Sequence, residues 1–257
     1  MSAISLRGPE RLVVRQQRLV LWVSGALALA GIALVAGAWW FTSSAADDFA
    51  GTGCSVRHTV PGCGIQVRHV LSIELHYRRL FDYAGPVMAA LPALIGLFVA
   101  GPVIGRELED GTYRLSWSQS VSPARWLAAK LAVPGALTTA GVAVLSAVYA
   151  WGWSRTYETN YPSQSSEPLV YGAMGPVPVA SALLGLALGA LIALLLRRTL
   201  ASMALTVAVS LALIVAREAV RPGGPFWPLQ LTETGILVAL AAAVTALAFR
   251  VLRRYHA

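Results

Sequence analysis

Charge is scarce in this chain: only 12% of its 257 residues are Asp, Glu, Lys or Arg, about half the share of an ordinary soluble domain. Lysine is rarer still, a single Lys130 followed by Leu131. That excludes a phosphate-binding loop, which needs Gly-Lys-Ser/Thr, so any ATP must be hydrolysed by another chain. There is no His-Glu-x-x-His and no Gly-x-Ser-x-Gly, and His76-Tyr77-Arg78-Arg79 has no metal-binding spacing. The familiar zinc and serine hydrolase chemistries are therefore unsupported, the chain is not expected to be an enzyme, and no cofactor is expected. The net charge of +8 comes from basic residues flanking apolar runs rather than from one stripe, and no nucleic-acid-binding motif accompanies it. Nucleic acid is excluded as a partner on that ground.

What the chain has in abundance is apolar sequence: 56% of the residues, with a mean hydropathy of +0.63. Runs of roughly 18 or more apolar residues, enough to cross a bilayer as a helix, recur along the whole length. The expected fold is all-α, a polytopic membrane protein with six transmembrane helices over 19–41, 84–104, 131–153, 177–196, 200–216 and 235–252. The fifth is the shortest. The first run is longer than the roughly 7 to 15 residues of a signal-peptide core, so it is expected to be an uncleaved anchor. The organisation is then an N-terminal segment over 1–18 and a single six-helix domain over 19–257, with a long external loop at 42–83 and a cytoplasmic loop at 105–130.

Orientation follows from the basic residues, which are retained on the cytoplasmic side. With both termini cytoplasmic, Arg7, Arg11, Arg15, Arg18, Arg106, Arg114, Arg125, Lys130, Arg197, Arg198, Arg250, Arg253 and Arg254 lie inside, leaving seven basic residues outside. Trp39, Trp40, Trp151, Trp153 and Trp227 then fall at the outer interface, and Trp22, Trp126 and Tyr255 at the inner one, where amphipathic rings belong. No Asp, Glu or His lies within these six spans, so an ion-coupled carrier, which relies on such groups at membrane depth, is unsupported. Gly185 and Gly189 form a small-xxx-small pair that predicts close helix packing.

Cysteine and histidine concentrate in the first external loop, as Cys54, His58, Cys63, His69 and His76. An oxidising face favours a Cys54–Cys63 disulfide. The alternatives are a metal site using Cys54, His58, Cys63 and His69, whose spacing matches no zinc pattern, and two unpaired thiols. Residues 68–82 predict an interfacial helix leading into the second span, although 71–78 also alternate as a strand would. The second external loop, 154–176, reads as a solvated connector. In the third, 217–234, three prolines and two glycines oppose a long helix. There Arg217, Glu218 and Arg221 are either charges at headgroup level or an outer gate.

The cytoplasmic loop GRELEDGTYRLSWSQSVSPARWLAAK (105–130) breaks the apolar pattern most sharply. Arg106 to Asp110 predict a short polar helix, Gly111 a left-handed stop, Thr112 a cap for a second helical piece, and Ser122-Pro123 the N-cap and first turn of the third span. Trp126 and Lys130 suit the interface, with the lysine snorkelling.

This stretch resembles the cytoplasmic signature of type-2 ATP-binding-cassette (ABC) transporter permeases, particularly a group common in GC-rich bacteria. The matching positions are Arg106, Glu107, Glu109, Gly111, Thr112, Trp117, Gln119, Ser120, Val121, Arg125, Trp126 and Leu127. The resemblance implies a permease that pairs with a second permease, in a homo- or heterodimer, and with cytoplasmic ABC ATPase subunits. Its loop after span two would act as the coupling helix, with Arg106, Glu107, Glu109, Gly111, Thr112 and Arg125 at the ATPase interface. An exposed carboxylate there could bond to a basic groove on the ATPase. "RPGGPFWP" departs from the short hydrophobic re-entrant hairpin that the family places between spans five and six. The expected function is an exporter in the plasma membrane moving an amphipathic, lipid-like or drug-like cargo. The alternatives are an importer permease, whose Glu-Ala-Ala loop between late spans is missing here, and a membrane sensor or immunity protein that transports nothing.

Overall fold

A computed structural model describes residues 18–58, 60–113 and 122–254. Within them every regular element is helical: α1 (Arg18–Ala50), α2 (Gly64–Ile95), a π-helical turn (Gly96–Ala100), α3 (Gly101–Glu109), α4 (Pro123–Ser154), a 3-10 turn (Arg155–Glu158), α5 (Pro168–Ala173), α6 (Val177–Leu196), α7 (Thr199–Val220) and α8 (Phe226–Arg254). Six segments are long and apolar enough to cross a membrane, namely α1, the continuous rod from α2 to α3, α4 with its 3-10 extension, α6, α7 and α8. A bilayer core offers no water to the backbone, so continuous helices are the form such segments must take.

The bundle is organised around α6. Two thirds of its apolar window (67%) is buried by other helices, against at most 39% for any other span. Two glycines make this possible. A Cβ on Gly185 would lie 2.2 Å from the Pro92 carbonyl oxygen, and one on Gly189 would lie 2.7 Å from Ala100 Cβ. The small-xxx-small pair thus brings the α6 backbone directly against the rod at the π-helical turn. On the other side of the same turn, a Cβ on Gly96 would lie 2.5 Å from Thr206 Cγ2 of α7. Pro86 and Pro92 lie in α2 and Pro102 just beyond the turn. The wider turn re-pairs backbone groups in this proline-rich region, with the Gly101 N–H donating to the Gly96 carbonyl.

At the end of the bundle away from Gly111, α2 and α4 are clamped by two phenols: Tyr77 donates to the Gly152 carbonyl (2.7 Å) and Tyr149 to the Phe81 carbonyl (3.3 Å). Phe81 stacks edge-on with both rings, at 5.3 Å in each case. Gly152 leaves the space this requires, since a Cβ there would meet Val35 at 2.4 Å and Phe81 at 2.8 Å.

Several expectations are corrected. The external loop drawn at 42–83 is mostly helix, because α1 runs to Ala50 and α2 begins at Gly64. Residues 68–82 are helical and lead into the second span as part of α2, and the strand alternative for 71–78 falls. The 154–176 loop is not a solvated connector. Thr156 and Ser163 are fully buried, α5 buries Val170, Tyr171, Gly172 and Ala173, and the buried Glu74 carboxylate accepts from Asn160 N (3.0 Å) and Nδ2 (2.8 Å). The fifth span is not the shortest: α7 has 22 residues and α6 has 20. The 217–234 loop shrinks to 221–225, as Pro222, Gly223, Gly224 and Pro225 fall in the connector and Pro228 in the first turn of α8. An N–H in that turn has no intrahelical partner to lose.

In the connector at 51–63, Cys54 and Cys63 form a disulfide with Cα atoms 5.7 Å apart. Peptide mapping without reduction should recover the two cysteines linked, and Cys54→Ser should cost about 2–3 kcal/mol by loop-closure entropy. Alkylation of both thiols in freshly isolated membranes would contradict the pairing.

Candidate functional site

The α3 end carries the polar residues singled out in the sequence. Arg106 to Glu109 are helical as expected and Asp110 is the C-cap, but the helix starts earlier, at Gly101, and runs in line with the second span. Gly111 comes next with φ +69°, the left-handed conformation that ends the helix at little cost only for glycine. The Thr112 hydroxyl donates back to the Glu107 carbonyl at 3.5 Å; the second helical piece expected after it lies, from residue 114 on, outside the described residues. Across the gap, Ser122 N-caps α4 by accepting from the Arg125 N–H (3.3 Å), and Pro123 occupies the first turn.

The two carboxylates bond within the chain, Glu107 half-buried and Glu109 exposed. Glu107 accepts from Lys130 Nζ at 2.5 Å and from Trp126 Nε1 at 3.0 Å, so α3 is tied to α4. Lys130 is 8% exposed, its ammonium turned onto Glu107. Glu109 accepts from the Thr199 N–H at 2.9 Å, supplying the cap that α7 lacks from its own sequence. Gly105 lets the two helices meet, because a Cβ there would lie 3.2 Å from Thr199 Cα. Below this layer Ile104, Trp126, Leu127, Leu194 and Leu252 form one apolar cluster. Arg106, Thr112 and Arg125 are exposed. The structure therefore gathers α3, α4 and the start of α7 at one end of the bundle, where Glu109, Asp110, Arg197 and Arg198 are exposed as well. The motif positions Trp117, Gln119, Ser120 and Val121 lie outside the described residues, as do Arg7, Arg11, Arg15, Arg114 and Tyr255 and the side chains of Arg18 and Trp22.

A second polar cluster sits at the opposite end of α7. Arg217 Nε lies 2.9 Å from Glu233 Oε1, and Arg217 also donates to Ser181 Oγ (3.0 Å). Arg221 donates to Glu218 and stacks over the Tyr171 ring at 4.1 Å from its centroid. Burial, followed by the neighbouring Glu233 carboxylate, raises the Tyr171 phenol above its usual range, so it stays neutral at any physiological pH. Gln230, fully buried, donates from Nε2 to the Tyr171 carbonyl (2.9 Å) and accepts from the Val177 N–H (3.4 Å), holding α5, α6 and α8 together. Arg217, Glu218 and Arg221 are thus one assembly, and sequence reasoning missed Ser181, Tyr171, Gln230 and Glu233. The last two are legible as polar residues one turn apart in "LQLTET", but the prolines just before them mark the stretch as a loop. Beside this cluster lies a cavity of about 450 Å³ between α6, α7 and α8.

A model of the family described as ABC-2 membrane transporter related matches residues 18–221, which include both clusters except Gln230 and Glu233. No curated protein and no solved structure matches the chain.

Proposed function

Since the chain belongs to the ABC-2 membrane transporter related family and is thereby a multi-pass membrane transporter subunit, we propose that it is the permease of an ATP-driven exporter in the plasma membrane. It works with a second permease and with separate cytoplasmic ABC ATPase subunits. The observation that carries this reading is the double tether of the α3 end, Glu107 to Lys130 of α4 and Glu109 to the Thr199 N–H of α7. A push on the exposed residues around Gly111 passes through these bonds to two other spans without any flexible linker between. Closure of the ATPase subunits on ATP supplies that push, and α7 carries it toward the polar cluster at its far end. Arg106, Thr112 and Arg125 are the contacts offered to the ATPase. Glu107 and Glu109 position them.

The reading requires the Gly111 end to face the cytoplasm. Thr112→Cys should react with an impermeant maleimide only after the membrane is opened, whereas Ser166→Cys should react in intact cells. The native cysteines, being disulfide-bonded, leave no background. The reverse pattern would place the α3 end where no ATPase can reach it. Affinity purification of the permease from its native membrane should in turn bring down an ABC ATPase, and its repeated absence would favour a protein that transports nothing.

A further inference from the structure

The cavity between α6, α7 and α8 has the size of a site for one small molecule. At about 450 Å³ it lies in the range of roughly 300–1,000 Å³ typical of ligand pockets. Leu184, Leu213, Ile214, Ile236, Leu237 and Leu240 make its walls apolar, while Arg217, Arg221 and Glu233 gather at one end. Deeper in the same cavity is Ser210. It is 3% exposed and its hydroxyl has no hydrogen-bond partner in the protein, an arrangement that costs free energy unless something else satisfies it. Ser210, Arg217 and Arg221 stand at i, i+7 and i+11 of α7, on one helical face. The backbone positions of Ser210 and Arg217 are therefore about 10 Å apart along the axis. The lining has a polar head, an apolar body and one unsatisfied group in between.

The charge of the head selects the occupant. Arg217 and Arg221 are matched by Glu218 and Glu233, so the cluster carries no net charge. Each guanidinium has five N–H donors. Arg221 spends one on Glu218, and its Nε is buried without a partner. The site thus offers surplus donors around a balanced set of charges. An anionic or cationic head would leave one charge uncompensated in this buried setting, which is expensive. A head with acceptors but no net charge would not.

We propose that this cavity binds a single-chain amphiphile whose polar head carries no net charge, zwitterionic or polyhydroxylic, with its chain along the α7–α8 wall. This names the class of cargo for the transport reading and rests on it only for calling the occupant cargo. Binding itself needs no ATPase, so the two ideas fail separately.

The purified permease in lipid nanodiscs is titrated with dodecylphosphocholine, dodecyl maltoside, laurate and dodecyltrimethylammonium below their micellar concentrations, and occupancy is read by native mass spectrometry. The two neutral-headed probes should bind at least about tenfold more tightly than either charged one, a difference of about 1.4 kcal/mol. Glu233→Gln leaves the head net positive and should move the preference to laurate. Arg221→Gln leaves it net negative and should move it to dodecyltrimethylammonium. Ile214→Trp, which fills the cavity, should abolish binding of all four while the size-exclusion profile stays that of the parent. Equal binding of all heads, preferences unmoved by the charge variants, or no saturable binding would each overturn the proposal. If the probes bind as expected but no ATP-driven transport occurs, only the transport reading falls.

Discussion

Gly185→Leu should leave almost no folded protein. The replaced hydrogen faces the Pro92 carbonyl so closely that even the Cβ of alanine would lie 2.2 Å from the oxygen and 2.8 Å from its carbon. Neither atom can step aside as a side chain would, since both belong to the α2 backbone. To admit a side chain, α6 must move away from α2, and with it the contacts of Gly189 on Ala100 and Gly96 are lost. Overpacking in a core costs typically about 1–3 kcal/mol when side chains can yield, and here the cost should exceed that range. Even Gly185→Ala should be markedly impaired. Gly141→Leu is the matched control, because a Cβ there meets nothing within 4 Å. Fluorescence-detected size exclusion in mild detergent should show a monodisperse peak for the control and its loss for Gly185→Leu. A normal peak for Gly185→Leu would mean that α6 does not pack its glycines on the π-helical turn.

Glu107→Ala should insert and fold, yet abolish cargo-stimulated ATP hydrolysis by the partner subunits while leaving the basal rate. The Glu107 side chain is 27% exposed and bonds to both Lys130 and Trp126. Its removal strands the Lys130 ammonium, which is 8% exposed. Breaking a buried pair by deleting one partner costs about 3–5 kcal/mol, because the remaining charge is uncompensated. The partial exposure of Glu107 lowers that figure. Lys130→Ala should uncouple the complex equally, and the double variant should be no worse than either single one, as expected of two groups acting through one bond. Gly111→Val should uncouple by another route. It forces a β-branched residue to φ +69°, at roughly 1–2 kcal/mol, and re-aims the segment beyond it. If Glu107→Ala and Lys130→Ala summed independently, or both stimulated like the parent, the tether would not transmit anything.

The membrane-crossing count and the all-helical class were legible because hydropathy reports which atoms avoid water. Where helices end was not, because a helix does not stop at the membrane. The rod Gly64–Glu109 has 46 residues, about 69 Å at 1.5 Å per residue, against a hydrocarbon core of about 30 Å. Its first part, with Arg68, Glu74, Arg78, Arg79 and Asp82, is too polar to read as span, although 68–82 predict a helix leading into it. It is helical because Tyr77 and Phe81 pack on α4 and because Glu74 and Arg78 bond to the segment after α4. The same reasoning explains the Gly111 end, where a polar sequence predicts a short helix and the structure makes it the continuation of the span. Gly111, Ser122 and Pro123 were legible since their roles are local. The partners of Glu107 and Glu109 were not, since Lys130 and Thr199 lie 23 and 90 residues away and nothing in a single sequence pairs them. At the far end Arg217, Glu218 and Arg221 stood out as charges beside a span. Glu233 was hidden by prolines that start a helix rather than prevent one.

The most direct test of the transport reading is ATP-driven movement of amphiphile by the reconstituted complex of this permease with its ATPase. Proteoliposomes are oriented with the Thr112 side outward, and ATP is supplied on that side. The account predicts that a neutral-headed dodecyl amphiphile moves from the ATP-bearing face to the opposite face. It further predicts that Glu107→Ala stops this movement without displacing the ATPase. Movement toward the ATP-bearing face, or no dependence on ATP in a complex that hydrolyses it, would contradict the account of this chain as an exporter permease.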